Sequence, residues 1–411
     1  MADASALPKQ QQIKVLLLEN IHASAHEIFG HEAYQVEAVP RALSESELVE
    51  RLADGVHLLG IRSKTRVTSK VLEAGKDLLS VGAFCIGTNQ IDLASAKRCG
   101  IPVFNAPFSN TRSVAELVIC EVIMLARHLG DRSREVHEGR WRKTAAGAHE
   151  IRGKTLGIIG YGHIGSQVGV LAEAMGMHVI SFDIRATLPM GNNKAVDSLE
   201  TLLAQSDFVT LHVPETPQTR GMIGRGEIAM MRDHACLLNL SRGTVVDLVA
   251  LAEAINGNKL GGAALDVYPE EPEGNEDTFK SVVCGLRNVV LTPHIGGSTA
   301  EAQESIGREV ARTLVRYTVA GATAGSVNFP LVDHPKLPGA HRILNVHRNV
   351  PGVLRDINKI VSDRNANVLG QVLATDPEIG YLVMDLDKEL AGDIQAAIKT
   401  LPTSIRTRIL Y

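Results

Sequence analysis

Cysteine is scarce and unpatterned in this sequence. The five cysteines (Cys85, Cys99, Cys120, Cys236, Cys284) are an odd number, widely scattered and without a CxxC pair. That argues against both a disulfide framework and a thiolate zinc site, and each cysteine reads as a small buried hydrophobe. An excess of charge of one sign is also missing. Forty-two Lys plus Arg stand against 46 Asp plus Glu, a formal net charge of -4, so no basic field exists to draw in nucleic acid or an anionic membrane. Long apolar runs are absent as well: the stretch 118–126 is interrupted by Glu121 and falls well short of the ~18 residues a membrane helix needs. The amino-terminal dozen carries Lys9 and glutamines with no apolar segment behind a basic one, so no secretory signal is read and the expected location is cytoplasmic. What remains is 411 residues, 45% hydrophobic and 21% charged, a composition ordinary for a folded soluble chain and long enough for two or three domains.

From Ile13 onward, short apolar runs alternate with amphipathic stretches, the rhythm of βαβ units around a parallel sheet. Strands are expected at 14–18, 56–61, 79–82 and 103–105, and a helix at 113–128 with Val114, Leu117, Val118, Glu121 and Leu125 at three- and four-residue spacings. A second series of six runs follows at 155–160, 178–183, 208–213, 236–240, 262–266 and 289–292, which suits a nucleotide-binding sheet. Ser298-Thr299-Ala300-Glu301 is a capping-box pattern opening a helix whose buried face holds Ile306, Val310 and Leu314. Between 321 and 340 the chain collects three glycines and three prolines, and this density of breakers reads as a linker. The last 70 residues or so then read strand, helix, strand, strand, helix, strand (343–347, 353–362, 368–373, 381–386, 394–400, 405–410), the ferredoxin-like βαββαβ order.

Gly160-Tyr161-Gly162-His163-Ile164-Gly165 matches G-x-G-x-x-G. A lone match is weak, but this one follows the apolar run Leu156-Gly157-Ile158-Ile159, opens a helical stretch, and lies ahead of Asp183 at about the 20-residue distance a dinucleotide fold requires. Gly160 would allow the tight turn, Gly162 the approach of a pyrophosphate, and Gly165 close helix-to-strand packing, with the helix N-terminus offering N–H groups to phosphate. Asp183 would accept hydrogen bonds from the ribose hydroxyls and favours NAD, while Arg185 two residues on leaves NADP open. Two near matches are set aside. Gly153-Lys154-Thr155 precedes its strand instead of following it, and His26 and His31 are five apart, so they diverge on a helix and cannot share a zinc ion.

Hydride transfer from an alcohol needs, beside the cofactor, a base, a group that tunes the base, and a cation for the oxyanion. Arg242, Glu271 and His294 all follow expected strands of the second series, where ligands bind in open α/β folds. Each alone reads as a solvated loop charge; together they form an ordered Arg, Glu, His set behind a nucleotide fold.

The segments around these three residues (239–247, 266–272 and 291–297) resemble the D-2-hydroxyacid dehydrogenase family. Segments 84–90 and 105–116 and the C-terminal module further resemble its bacterial, serine-sensitive D-3-phosphoglycerate dehydrogenase branch. This likeness implies a Rossmann-type NAD domain (109–295) inserted in a flavodoxin-like substrate-binding domain (1–108 and 296–330), then a linker (331–341) and an ACT regulatory domain (342–411). Arg242, Glu271 and His294 would be catalytic. Gly160, Gly162, His163, Ile164, Gly165, Asp183, Ser241, Arg242, Asp266, His294, Gly296 and Gly297 would face NAD. Arg62, Ser63, Asn110 and Gln303 would contact 3-phospho-D-glycerate, and His347, Asn349 and Asn367 would bind L-serine as effector. A cleft closing between the two larger domains would exclude water. The likeness further implies a homotetramer and the first step of L-serine synthesis, with no metal, nucleic-acid or membrane partner. Two other readings stand beside it: a dehydrogenase of another 2-hydroxy acid such as 2-hydroxyglutarate, and an NAD-sensing interaction protein without catalysis. The intact Arg242, Glu271 and His294 argue against the sensor.

Overall fold

Apolar runs of four or five residues with little polar alternation form strands covered on both faces, and the inner strands of both parallel sheets of the protein are built from them. The computed structural model describes residues 13–185, 187–272, 277–387 and 390–410. The chain divides into one unit made of Met1–Ser109 with Gln303–Tyr411 and a second, Asn110–Ala302.

The first unit opens with β1 (Lys14–Leu18), α1 (Ala23–His31), β2 (Gln35–Val39), α2 (Glu45–Ala53), β3 (Leu58–Ile61), α3 (Ser69–Ala74), β4 (Ser80–Ala83), α4 (Leu93–Arg98) and β5 (Val103–Asn105). The strands pair in parallel in the order β2-β1-β3-β4-β5, the flavodoxin-like winding. Ser44 and Glu47 cap α2 reciprocally, Ser44 N donating to Glu47 Oε2 at 2.9 Å and Glu47 N to Ser44 Oγ at 3.4 Å.

The second unit holds α5 (Thr111–Arg127), α6 (Leu129–His137), β6 (Thr155–Ile159), α7 (His163–Ala174), β7 (His178–Phe182), β8 (Lys194–Ala195), α8 (Leu199–Gln205), β9 (Phe208–Leu211), α9 (Arg225–Met230), β10 (Cys236–Asn239), α10 (Leu248–Asn256), β11 (Gly262–Leu265) and β12 (Val289–Leu291). Its strands are parallel in the order β12-β11-β10-β9-β6-β7-β8, a Rossmann-type sheet whose order reverses between β6 and β9.

Then come α11 (Ala300–Ala320), β13 (His341–Arg348), α12 (Val353–Asp363), β14 (Val368–Thr375), β15 (Ile379–Leu386), α13 (Ala391–Lys399) and β16 (Ser404–Leu410). The strands form an antiparallel sheet in the order β14-β15-β13-β16, the ferredoxin-like βαββαβ arrangement. Thr299 caps α11: its Oγ1 accepts from Ala302 N at 3.1 Å, so the cap lies one residue beyond the Ser298 that the sequence pattern suggests. The central strands of the last sheet are buried on both faces. Ile343, Leu382, Met384 and Leu386 pack with Ile357, Ile394 and Ile398 of its own helices. Leu344, Val346, Tyr381 and Val383 join a core with Phe104, Tyr317 and Phe329, so this sheet and the first one share a hydrophobic core inside one unit.

The segment after α11 is stitched to that core. Thr323 Oγ1 donates to Pro330 O at 2.6 Å and accepts from Val332 N at 2.8 Å. Arg342, fully buried, pairs with Asp385 through Nε and Nη2 at 2.7 Å each, and gives its remaining donors to Ala320 O, His334 O and Pro335 O. All five guanidinium N–H groups are thereby used. All five cysteines are free, but Cys120 and Cys284 are exposed and only Cys236 is fully buried; the expectation of uniformly buried cysteines fails at those two surface sites.

Candidate active site

The glycine motif begins one residue past β6. Gly160 sits at φ +90, and a Cβ there would meet His212 O at 2.6 Å; a Cβ on Gly165 would meet Gly160 O at 2.3 Å. Protein packing alone therefore demands these two glycines. Gly162 differs: it is the N-cap of α7, and a Cβ on it would meet nothing within 4 Å. Its bareness leaves open space in front of a helix N-terminus with His163 and Ile164 in the first turn, a cradle that fits a pyrophosphate. Asp183 follows β7 and braces the turn, Oδ2 accepting from Tyr161 N at 2.8 Å and Oδ1 from Arg185 N at 2.9 Å.

At the carboxyl ends of β10, β11 and β12 the sequence-predicted set comes together. His294 Nδ1 and Glu271 Oε2 lie 2.8 Å apart. His294 has φ +54, left-handed backbone that is uncommon outside glycine and accumulates at functional sites. Its neighbours explain how the conformation is held: Asp266, almost wholly buried, accepts from Thr292 Oγ1 (2.6 Å), Ile295 N (2.8 Å) and Gly296 N (2.8 Å). One carboxylate thus ties both sides of His294 to the end of β11. On the Glu271 side, Tyr268 N donates to Glu271 Oε1 at 3.1 Å, while the Tyr268 hydroxyl reaches Leu265 O and Thr292 O at 3.0 Å each. Tyr268 lies inside a motif the sequence displays, yet only the fold reveals that it bridges the two loops.

The loop carrying Arg242 meets this assembly at Gly243, where a Cβ would fall 1.9 Å from Tyr268 C; no other residue fits there. Arg242 Nη1 donates to Ser241 O at 2.6 Å, and Ser241, buried, donates from Oγ to Asn239 Oδ1 at 2.8 Å. The charges tune one another. The Glu271 hydrogen bond raises the His294 pKa above its usual value, against burial and the Arg242 charge, which lower it. Burial pushes Glu271 up, but the His294 hydrogen bond and charge outweigh it, and its pKa is net lowered.

Asn110 lies in the second unit at the start of α5, buried, its amide where a Cβ on Gly297 would fall at 2.5 Å. Arg62 and Ser63 follow β3 in the first unit, and Gln303 is in α11 of that unit. In the last sheet, buried His347 pairs Nδ1 with Asn345 Oδ1 at 3.0 Å, Asn349 Nδ2 donates to Asp376 O at 2.6 Å, and Asn367 is exposed. Burial lowers the pKa of His347. Among the described residues no group of three or more His, Cys, Asp or Glu could hold a metal ion, and no helix is long and apolar enough to cross a membrane.

Known proteins share this fold. The pattern of the D-isomer specific 2-hydroxyacid dehydrogenase NAD-binding domain matches residues 119–296, and that of an ACT domain like the acetohydroxyacid synthase (AHAS) small subunit matches residues 343–406. The chain is 54% identical over 411 residues to the D-3-phosphoglycerate dehydrogenase of Dictyostelium discoideum, covering all of both chains. The chain belongs to the D-isomer-specific 2-hydroxyacid dehydrogenase family. It is 49% identical to the D-3-phosphoglycerate dehydrogenase of Escherichia coli K12 over 98% of each chain; with a Dictyostelium relative beside it, the likeness is not confined to bacteria. The D-lactate dehydrogenase of Aquifex aeolicus, solved with NAD and lactic acid, superposes with TM-score 0.66 at 26% identity, over 77% of this chain and 99% of that one. The family member described here is an NAD-dependent dehydrogenase, with NAD as the cofactor.

Proposed function

We propose that the protein oxidises 3-phospho-D-glycerate to 3-phosphooxypyruvate, the first step of L-serine biosynthesis, and that L-serine inhibits it by feedback through the ACT domain. The full-length likeness to D-3-phosphoglycerate dehydrogenases supports the substrate. The observation that carries the catalytic reading is the 2.8 Å contact between His294 Nδ1 and Glu271. With Nδ1–H donated to the carboxylate, Nε2 is left as the lone pair that takes a proton.

In this reading His294 Nε2 accepts the substrate hydroxyl proton, and the reverse reaction starts from protonated His294. Bound NAD would supply the acceptor for the hydride from C2. Glu271 holds the imidazole in the working tautomer and stabilises the imidazolium. Arg242 binds the substrate carboxylate and polarises the forming carbonyl. Gly160, Gly162, His163, Ile164 and Gly165 would hold the pyrophosphate, Asp183 the ribose, and Ser241, Asp266, Gly296 and Gly297 the nicotinamide end. Arg62, Ser63, Asn110 and Gln303 are the proposed substrate contacts, and His347, Asn349 and Asn367 the proposed serine contacts. The domains proposed are substrate-binding at 1–108 and 296–330, NAD-binding at 109–295, a linker at 331–341, and regulatory at 342–411. The assembly is proposed as a cytoplasmic homotetramer. Replacing Arg242 or His294 by Ala is expected to cut turnover by roughly 10²-fold or more while leaving NAD affinity largely intact; near-normal steady-state turnover in either variant contradicts the assignment.

A further inference from the structure

Parallel sheets wound in the order β2-β1-β3-β4-β5 bind ligands outside the carboxyl ends of β1 and β3, where the winding changes direction. In this protein a buried carboxylate occupies that place. Glu19 directly follows β1, is 8% exposed, and sits at φ +63, followed by Asn20 at φ +52. Two consecutive left-handed residues without glycine are disfavoured by local sterics, and such strain persists only where the surroundings over-determine it. The surroundings here are the loop after β3. Glu19 Oε1 accepts from Arg62 N at 3.2 Å and Thr65 N at 2.8 Å, and Oε2 accepts from Lys64 N at 3.0 Å. The Arg62 peptide is also held from the other side, Gln90 Nε2 donating to Arg62 O at 2.6 Å.

Of the four amides from Arg62 to Thr65, three thus point inward to one carboxylate. Ser63 N–H has no hydrogen-bond partner among the described residues, and Ser63 and Lys64 are exposed. Arg62 Nη1 folds back to Glu19 O at 3.4 Å, so main chain and side chain of Glu19 both bear on Arg62. A carboxylate under a loop of sequence Arg-Ser-Lys-Thr-Arg offsets part of its positive charge, which opposes anion binding. What it supplies in return is shape: a loop whose inward amides are spent can present its Ser63 amide and its cationic side chains in one fixed arrangement.

We infer that Glu19 is the positioning residue of the phosphoryl end of the substrate: its buried carboxylate fixes the Arg62–Thr65 loop in its anion-receiving form. This inference rests on the phosphorylated-substrate reading above. It differs from a catalytic role, because Glu19 would touch neither substrate nor cofactor, and it predicts a loss in binding without a loss in chemistry.

The test is steady-state kinetics on the full-length enzyme with Glu19→Gln and Glu19→Ala. The amide keeps one acceptor oxygen of the two and the alanine keeps none. KM for 3-phospho-D-glycerate is expected to rise in the order wild type, Gln, Ala, by roughly tenfold for Gln, with kcat within about twofold and KM for NAD unchanged. The inhibition constant of inorganic phosphate, competing with the substrate, is expected to rise in parallel. Unchanged KM and unchanged phosphate inhibition overturn the inference, as does a fall in kcat with KM held constant. Should Glu19→Ala fail to fold, Glu19→Gln decides alone. If wild-type protein does not turn over 3-phospho-D-glycerate, the functional reading fails by itself, and direct titration of wild type and Glu19→Gln with inorganic phosphate decides the positioning role: weaker binding by the variant sustains it, equal binding overturns it.

Discussion

Glu121 offers a sharp test of the physical account. It lies on the buried stripe of α5, wholly inaccessible, and neither carboxyl oxygen has a hydrogen-bond partner among the described residues. Burial first, and the nearby Asp266 carboxylate second, push its pKa from 4.5 up to about 8, so at neutral pH the folded protein keeps it protonated. A carboxyl whose folded pKa lies above its unfolded pKa costs folding nothing below the unfolded value. The cost then grows as pH climbs and levels off above the folded value. Here that window runs from 4.5 to about 8. At ~1.4 kcal/mol per pKa unit, full ionisation of the unfolded chain destabilises the fold by at most about 5 kcal/mol. Glu121→Gln keeps the shape and removes the titration, so the variant gains on wild type as pH rises. Thermal unfolding of both proteins, followed by calorimetry from about pH 5 to 9, reads the effect as a divergence of up to about 10 °C in Tm. Parallel Tm curves across that range would refute the reasoning.

Two further outcomes follow from contacts in the structure. Replacing Glu271 with Gln removes the main influence that raises the His294 pKa. Because oxidation needs neutral His294, the acid limb of its pH–rate profile moves to lower pH, and in the reduction direction the alkaline limb moves the same way; unmoved limbs in both directions would contradict the pairing. Replacing Arg342 with Met strands Asp385, which has no exposed side-chain surface, and is expected to cost about 3–5 kcal/mol in denaturant unfolding. Converting Asp385 to Leu in the same chain should recover much of that loss, and a loss below ~1 kcal/mol in the single variant would show that the pair does not hold the segment in place.

Much of the architecture is legible because strands buried on both faces are written as unbroken apolar runs. The expected 14–18 and 103–105 coincide with β1 and β5. The runs of the nucleotide sheet overshoot instead: Gly160, Asp183, Leu240, Asp266 and Thr292 each fall one residue beyond their strand. At those points the backbone leaves the sheet, and all of these residues but Leu240 supply the turn, carboxylates and hydroxyl of the site loops. Strand β2 has no counterpart among the expected strands because an edge strand with Gln35 and Glu37 exposed to solvent has little apolar signal, and β8 is only two residues long. In the last domain, 353–362 and 368–373 locate α12 and β14 but stop short of their ends.

The site itself was readable where chemistry clusters in short motifs, and opaque where it depends on contacts distant in sequence. His294, Glu271 and Arg242 stand out as post-strand charges. Glu19 gives no such signal, since its partners lie 43 to 46 residues away. Helical spacing does put Glu121 on the apolar face of α5, but only the packing shows that its carboxyl meets no donor.

The most direct test of the central claim follows NADH absorbance with purified protein, NAD and 3-phospho-D-glycerate, with and without L-serine. The account predicts NADH formation that depends on 3-phospho-D-glycerate and is suppressed by serine. Turnover indifferent to serine would contradict the regulatory reading, and absence of turnover in either direction by protein that still binds NAD would contradict the catalytic one.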